Sequence, residues 1–237
     1  MENNQIICLN KKTLIRYKLD NSRINNRWPF AKEGVPFILV GCAVTFFFFY
    51  LGFLQLSIIA GILSIFIVFF FRDPDRSNTV TDRAVLTPAD GKILEVLHLK
   101  DSNNPLGEPA LKVSIFMSIF DVHVNRIPIG GIIQKITYNP GKFFSANLDK
   151  ASQQNENNRI TLIHPGSCRI VFVQIAGLIA RRISCWVKEG SHVEAGQRFG
   201  LIRFGSRLEV YLPDDSKIIA QPHQKVKAGE TIIGYLS

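Results

Sequence analysis

The chain has 237 residues, enough for one ordinary domain plus an appendage. Hydrophobic residues make up 46% and charged residues 20%, which excludes a disordered chain and a long coiled coil. The formal net charge of +9 suits nucleic acid, an anionic membrane or an acidic substrate. The basic residues neither gather on one element nor form a nucleic-acid motif, so a membrane surface is the better expectation and no nucleic acid is expected.

Residues 1–34 form a polar arm in which seven lysines and arginines face three acids. From Val35 to Phe71 not one residue is charged, and the run closes on Arg72-Asp73-Pro74-Asp75-Arg76. It begins too late and runs too long for a signal peptide. About 20 residues suffice for one helix to cross a hydrocarbon core, so two short helices turning near Gly52 are predicted, roughly Val35–Tyr50 and Phe53–Phe71. A full crossing and a re-entrant or interfacial hairpin both fit. Basic residues at both ends favour a hairpin with both ends on the cytoplasmic side of the cell membrane. Cys8, Cys42, Cys168 and Cys185 lack zinc spacing; reduced thiols and no metal site are expected.

Residues 72–237 are expected to form one β domain, in which from Ala84 onward the texture is that of short strands punctuated by Gly, Pro and Asn-Asp. Strands are predicted over Lys92–Leu97, Ala110–Ile119, Gly131–Tyr138, Arg159–Ile163, Arg169–Ile175, Ala180–Val187, Arg198–Phe204, Leu208–Leu212 and Thr231–Tyr235. Three turn phrases look alike: Ala89-Asp90-Gly91, Val193-Glu194-Ala195-Gly196 and Val226-Lys227-Ala228-Gly229. Glycine permits the positive φ of such hairpins. The fold class is therefore mainly β, a sandwich or barrel with turns resembling the barrel-sandwich hairpins of lipoyl and biotinyl carriers, joined to an N-terminal helical hairpin. A polar segment over 139–158 is too long for an idle loop.

The phrase Gly200-Leu-Ile-Arg-Phe-Gly-Ser-Arg-Leu-Glu-Val-Tyr-Leu-Pro213 places a Gly-Ser pair between two strand-like runs. Together with Thr87-Pro-Ala-Asp-Gly91, Phe120-Asp-Val-His-Val-Asn-Arg-Ile-Pro128 and Gly177-Leu-Ile-Ala-Arg-Arg-Ile183, it resembles the phosphatidylserine decarboxylases, in their short bacterial and archaeal form. The likeness runs in order over most of residues 30–237. It implies that the chain cuts itself between Gly205 and Ser206, giving a β chain (1–205) and an α chain (206–237) capped by a pyruvoyl group made from Ser206. That group would form a Schiff base with the substrate amine and accept electrons as CO2 leaves, with no metal.

Serine alone is a weak nucleophile and needs a base. The resemblance points to His123 as that base and as proton donor, with Asp90 as its orienter. Longer family members carry a second histidine where this chain has Arg126, so its work must be redistributed. Arg126, Lys142, Lys150, Arg181 and Arg182 are the candidate partners for the substrate's phosphate and carboxylate. The implied partners are phosphatidylserine, an anionic membrane and the two chains of one precursor; a homo-oligomer is compatible. An ether-linked archaetidylserine presents the same head group. Two other classes are weighed: a lipoyl-like carrier, since Asp149-Lys150-Ala151 has the attachment tripeptide, and a membrane scaffold that never cleaves.

Overall fold

A computed structural model describes residues 21–77, 83–145, 154–166, 168–178, 182–203 and 205–237. After a short helix, α1 (Asn21–Ile24), the apolar run forms α2 (Val35–Tyr50) and α3 (Leu54–Phe70), close to the predicted spans. Pro36 lies in the first turn of α2, where a missing N–H costs nothing. Gly52 makes the reversal with φ +78°, a conformation that a side chain would resist. The helices pack closely at Gly41, where a Cβ would lie 2.6 Å from Ser64 Oγ. Thr45 Oγ1 and Ser64 Oγ share a hydrogen bond at 3.2 Å, and Ser57 Oγ donates to the Thr45 carbonyl.

No side chain of α2 is buried, although the helix is apolar on every side. Such a surface needs a non-aqueous neighbour. By length and composition the helix Lys32–Tyr50 could cross a membrane, whereas the 17 residues of α3 form a shorter apolar helix. The base of the hairpin is tied to the rest of the chain. Ala31 N donates to the Phe71 carbonyl at 2.7 Å, Asp73 N to that of Pro29 at 2.8 Å, and Trp186 Nε1 to Glu33 Oε1 at 2.9 Å.

Fourteen strands follow among the described residues. They are β1 (Ala84–Leu86), β2 (Gly91–Leu99), β3 (Ala110–Met117), β4 (Val124–Arg126), β5 (Gly131–Asn139), β6 (Asn157–His164) and β7 (Cys168–Ala176). Then come β8 (Ile183–Cys185), β9 (His192–Val193), β10 (Arg198–Ile202), β11 (Ser206–Pro213), β12 (Lys217–Ile218), β13 (Lys225–Val226) and β14 (Ile232–Tyr235). Eight of them build one curled antiparallel sheet in the order β13-β2-β3-β11-β7-β6-β5-β9. Two three-stranded sheets, β1-β14-β12 and β4-β10-β8, complete the mainly β architecture that the sequence leads one to expect.

All nine predicted strands exist, with ends shifted by a few residues; among the described residues β8 covers three. The five that the sequence reading misses are two or three residues long, too short for an alternating pattern to register. One correction matters for chemistry. β11 begins at Ser206 and not at Leu208, so the Gly-Ser pair enters a strand directly.

β11 is a central strand, flanked by β3 and β7. Leu208, Val210 and Leu212 face the main apolar core with Val113, Ile115, Phe172 and Phe199. Its other face carries Arg207, Glu209 and Tyr211, all buried; Arg207 Nε lies 2.9 Å from Glu209 Oε1, and the guanidinium also pairs with Glu95. Buried charges persist only where they are paired in this way.

Candidate active site

Ser206 opens β11 opposite Met117 of β3 and Ala176 of β7. It is 0% exposed, and its Oγ donates to Met117 Sδ at 3.3 Å. Gly205 has φ +62° with open space where a Cβ would stand, so backbone geometry and not crowding favours glycine there.

His123 lies just after a tight turn that follows β3. Asp121 N donates to the Ser118 carbonyl at 3.0 Å, and Ser118 N donates to Asp121 Oδ2 at 2.8 Å. The imidazole is fully buried, with its Nδ1 2.9 Å from the Asp121 carbonyl oxygen. A carbonyl can only accept, so Nδ1 carries the hydrogen and Nε2 keeps its lone pair. Nε2 is buried without a hydrogen-bond partner. Burial is the main cause that pushes the His123 pKa down to about 4, only partly offset by Asp121. At neutral pH the ring is an uncharged base with a free nitrogen.

The expected His123–Asp90 hydrogen bond is absent. Asp90 Oδ2 accepts from Arg76 Nη2 at 2.9 Å, and its Oδ1 accepts from Ala228 N at 2.7 Å. The carboxylate therefore clips the first turn phrase to the third, and the Asp121 carbonyl orients the histidine. His123 and Ser206 also share no hydrogen bond, since the hydroxyl is engaged by sulfur.

Arg126 is likewise placed otherwise than expected. Its Nη1 donates to the Gly196 carbonyl at 3.0 Å and its Nη2 to that of Pro74 at 2.9 Å. Its backbone N donates to the Pro88 carbonyl, and a Cβ on Gly229 would lie 2.8 Å from its Cδ. The second and third look-alike turns thus meet at one buried arginine, whose pKa burial lowers to about 10. That cation ties the scaffold together and is not free for a substrate.

Lys142 is exposed, with its ammonium 5.8 Å from the centroid of the Phe144 ring, and Arg182 is exposed too. Lys150 and Arg181 lie outside the described residues, as does the rest of the carrier-like tripeptide. The two ends of the long polar segment are fixed beside the serine: Asn155 Nδ2 donates to the carbonyls of Phe144 (2.8 Å) and Ala176 (2.7 Å).

Four participants escape the sequence reading. Arg76 holds Asp90, and Met117 holds the Ser206 hydroxyl. Asn125 donates to the same sulfur. Arg203 lies 5.5 Å from the Phe37 ring of α2, and burial followed by the nearby Arg182 lowers its pKa. Asn125 and Arg203 stand within the phrases Phe120–Pro128 and Gly200–Pro213 that carry the resemblance, where neither drew a role of its own.

The family model described as phosphatidylserine decarboxylase matches residues 63–234. A phosphatidylserine decarboxylase proenzyme of Syntrophus aciditrophicus is 46% identical over 208 residues, covering 86% of this chain and 96% of its own. Proenzymes of the same name from Desulfotalea psychrophila and Pelobacter propionicus are 45% and 44% identical, covering 88% and 90% of this chain and 97% and 99% of theirs. With a family model over most of its length and such relatives, the chain belongs to the phosphatidylserine decarboxylase family and is a decarboxylase.

Proposed function

We propose that the chain is a self-processing phosphatidylserine decarboxylase that yields phosphatidylethanolamine and CO2 at a membrane surface. The observation that carries the reading is a glycine of left-handed φ directly before a fully buried serine, at the head of a central strand.

In processing, His123 Nε2 takes the proton of Ser206 Oγ, and Oγ adds to the Gly205 carbonyl carbon. The Gly205–Ser206 C–N bond breaks, leaving an ester and a free amine. Loss of the Cα proton then expels the Gly205 carboxylate from Cβ, giving dehydroalanine at 206. Water hydrolyses its imine tautomer, releases ammonia and leaves a pyruvoyl cap on residues 206–237. Residues 206 and 207 fit this group. The serine is buried, and the new chain end stays in place because β11 pairs on both sides and Arg207 is locked to Glu95 and Glu209.

The pyruvoyl carbonyl supplies an electrophile that captures an amine and an electron sink for decarboxylation. His123 is the proposed proton donor to the carbon that loses CO2. Arg182 adds to burial in depressing the proton affinity of Arg203 beside α2, so an anionic head group between the two relieves repulsion. The hairpin of α2 and α3 would lie in an anionic membrane, with the β portion on the cytoplasmic face and the basic arm against lipid phosphates.

Intact-mass spectrometry tests the reading. Wild type is expected as two chains, the smaller being residues 206–237 with a blocked N-terminus. Ser206→Ala is expected to stay whole and inactive. A fully active, uncut wild-type chain overturns it.

A further inference from the structure

Behind Ser206 stand three side-chain amides in line. Asn158 of β6 and Gln174 of β7 face each other across the sheet, and Asn158 Nδ2 donates to Gln174 Oε1 at 2.9 Å. Gln174 Nε2 donates to Asn125 Oδ1 at 2.8 Å. Asn125 Nδ2 in turn donates to Met117 Sδ at 3.6 Å, the same sulfur that receives Ser206 Oγ at 3.3 Å. All five residues are 0% exposed. Glycine at 200, paired with Asn125, leaves room for this line: a Cβ there would lie 2.9 Å from Gln174 Nε2 and meet the Ser184 carbonyl.

Neutral amides in an apolar core are costly unless each is bonded. Here the carbonyl oxygens of Gln174 and Asn125 accept from behind, and each NH2 points forward, toward Ser206. The last donor in the line meets only a thioether, which is a weak acceptor. A well-oriented, poorly spent N–H donor beside a nucleophile is the equipment of a site where negative charge develops.

We propose that Asn125 is the donor that stabilises the oxyanion formed when Ser206 Oγ adds to the Gly205 carbonyl, with Gln174 and Asn158 as the residues that position it. This deepens the self-processing reading and rests on it. As the C–O bond forms, the proton goes to His123 Nε2 and the carbonyl π pair goes to the Gly205 oxygen. Asn125 Nδ2 then exchanges a thioether for an anionic acceptor, a stronger partner in a dry site.

The test follows conversion of full-length precursor, made by cell-free translation with phosphatidylglycerol-containing vesicles, from pH 5 to 9. Asn125→Asp keeps shape but offers an O–H only while protonated. At pH 8 it should process on the order of 100-fold more slowly than wild type. The deficit should shrink as pH falls and the buried carboxyl regains its proton. Gln174→Glu should show a smaller loss of the same sign, because the ionised carboxylate it introduces can only accept and so turns the Asn125 amide around. A folded Asn125→Asp chain that processes at the wild-type rate at pH 8, or with a deficit independent of pH, overturns the proposal. If that variant does not fold, Gln174→Glu decides by the same two criteria. A wild-type control that stays one chain instead sinks the processing reading itself.

Discussion

The Phe70 ring lies 4.2 Å, centroid to centroid, from the imidazole of His123. The last residue of α3 therefore forms one wall of the proposed base's pocket. Neighbouring contacts continue the link: Phe66 meets Phe120 at 6.3 Å, and Arg72 Nη2 donates to the Phe120 carbonyl at 2.7 Å. The segment read as membrane-seated and the chemical site share side chains.

Phe70→Ala should let water reach the imidazole and raise its pKa from about 4 toward 6.5. A base works only when unprotonated, so processing near pH 6 should fall several-fold while the rate at pH 8 changes little. The truncation should also cost about 3 kcal/mol of stability. The check is the acid limb of processing rate against pH; a limb that does not move would refute the covering role of Phe70.

Buried histidine also makes stability depend on pH. The unfolded imidazole takes up a proton below about 6.5, whereas the folded one does so only near 4. Between these values the unfolded state binds more protons, so acid favours unfolding. In the uncleavable Ser206→Ala background, about 3 kcal/mol should be lost from pH 7 to pH 4. His123→Gln should remove most of that slope in denaturant titrations at several pH values. Parallel curves for the two proteins would contradict the burial of a neutral ring.

Asp90→Asn separates two roles for this carboxylate. As a clip between turns, it should cost about 2 kcal/mol, because Arg76 loses a buried partner. The amide oxygen can still accept from Ala228 N, and the pH limb of processing should stay where it was. A shifted limb with unchanged stability would instead restore Asp90 as the orienter of His123.

Much of the frame was legible in the residues. An uncharged run with Gly52 near its middle pointed to two short helices, and runs rich in Val, Ile and Phe between turn residues marked the long strands. The Val-x-Ala-Gly phrases foretold tight hairpins, and Gly196 and Gly229 do adopt positive φ. What the pattern could not carry was the meeting of those hairpins on Arg126, a residue that reads locally as a free cation. Asp90 misled for the same reason: a carboxylate beside a glycine shows its charge, not its partner.

By itself, then, the chain determined where apolar surface, strand and turn would fall, since periodicity and glycine are local properties. It also exposed the Gly205-Ser206 phrase. Only tertiary structure decided that Ser206 would face Met117, 89 residues earlier, that a peptide carbonyl would orient His123, and that Gln174 would turn Asn125 toward the serine. Hydrogen-bond partners in a dry core are chosen by register between distant strands, and no short window of residues contains that register.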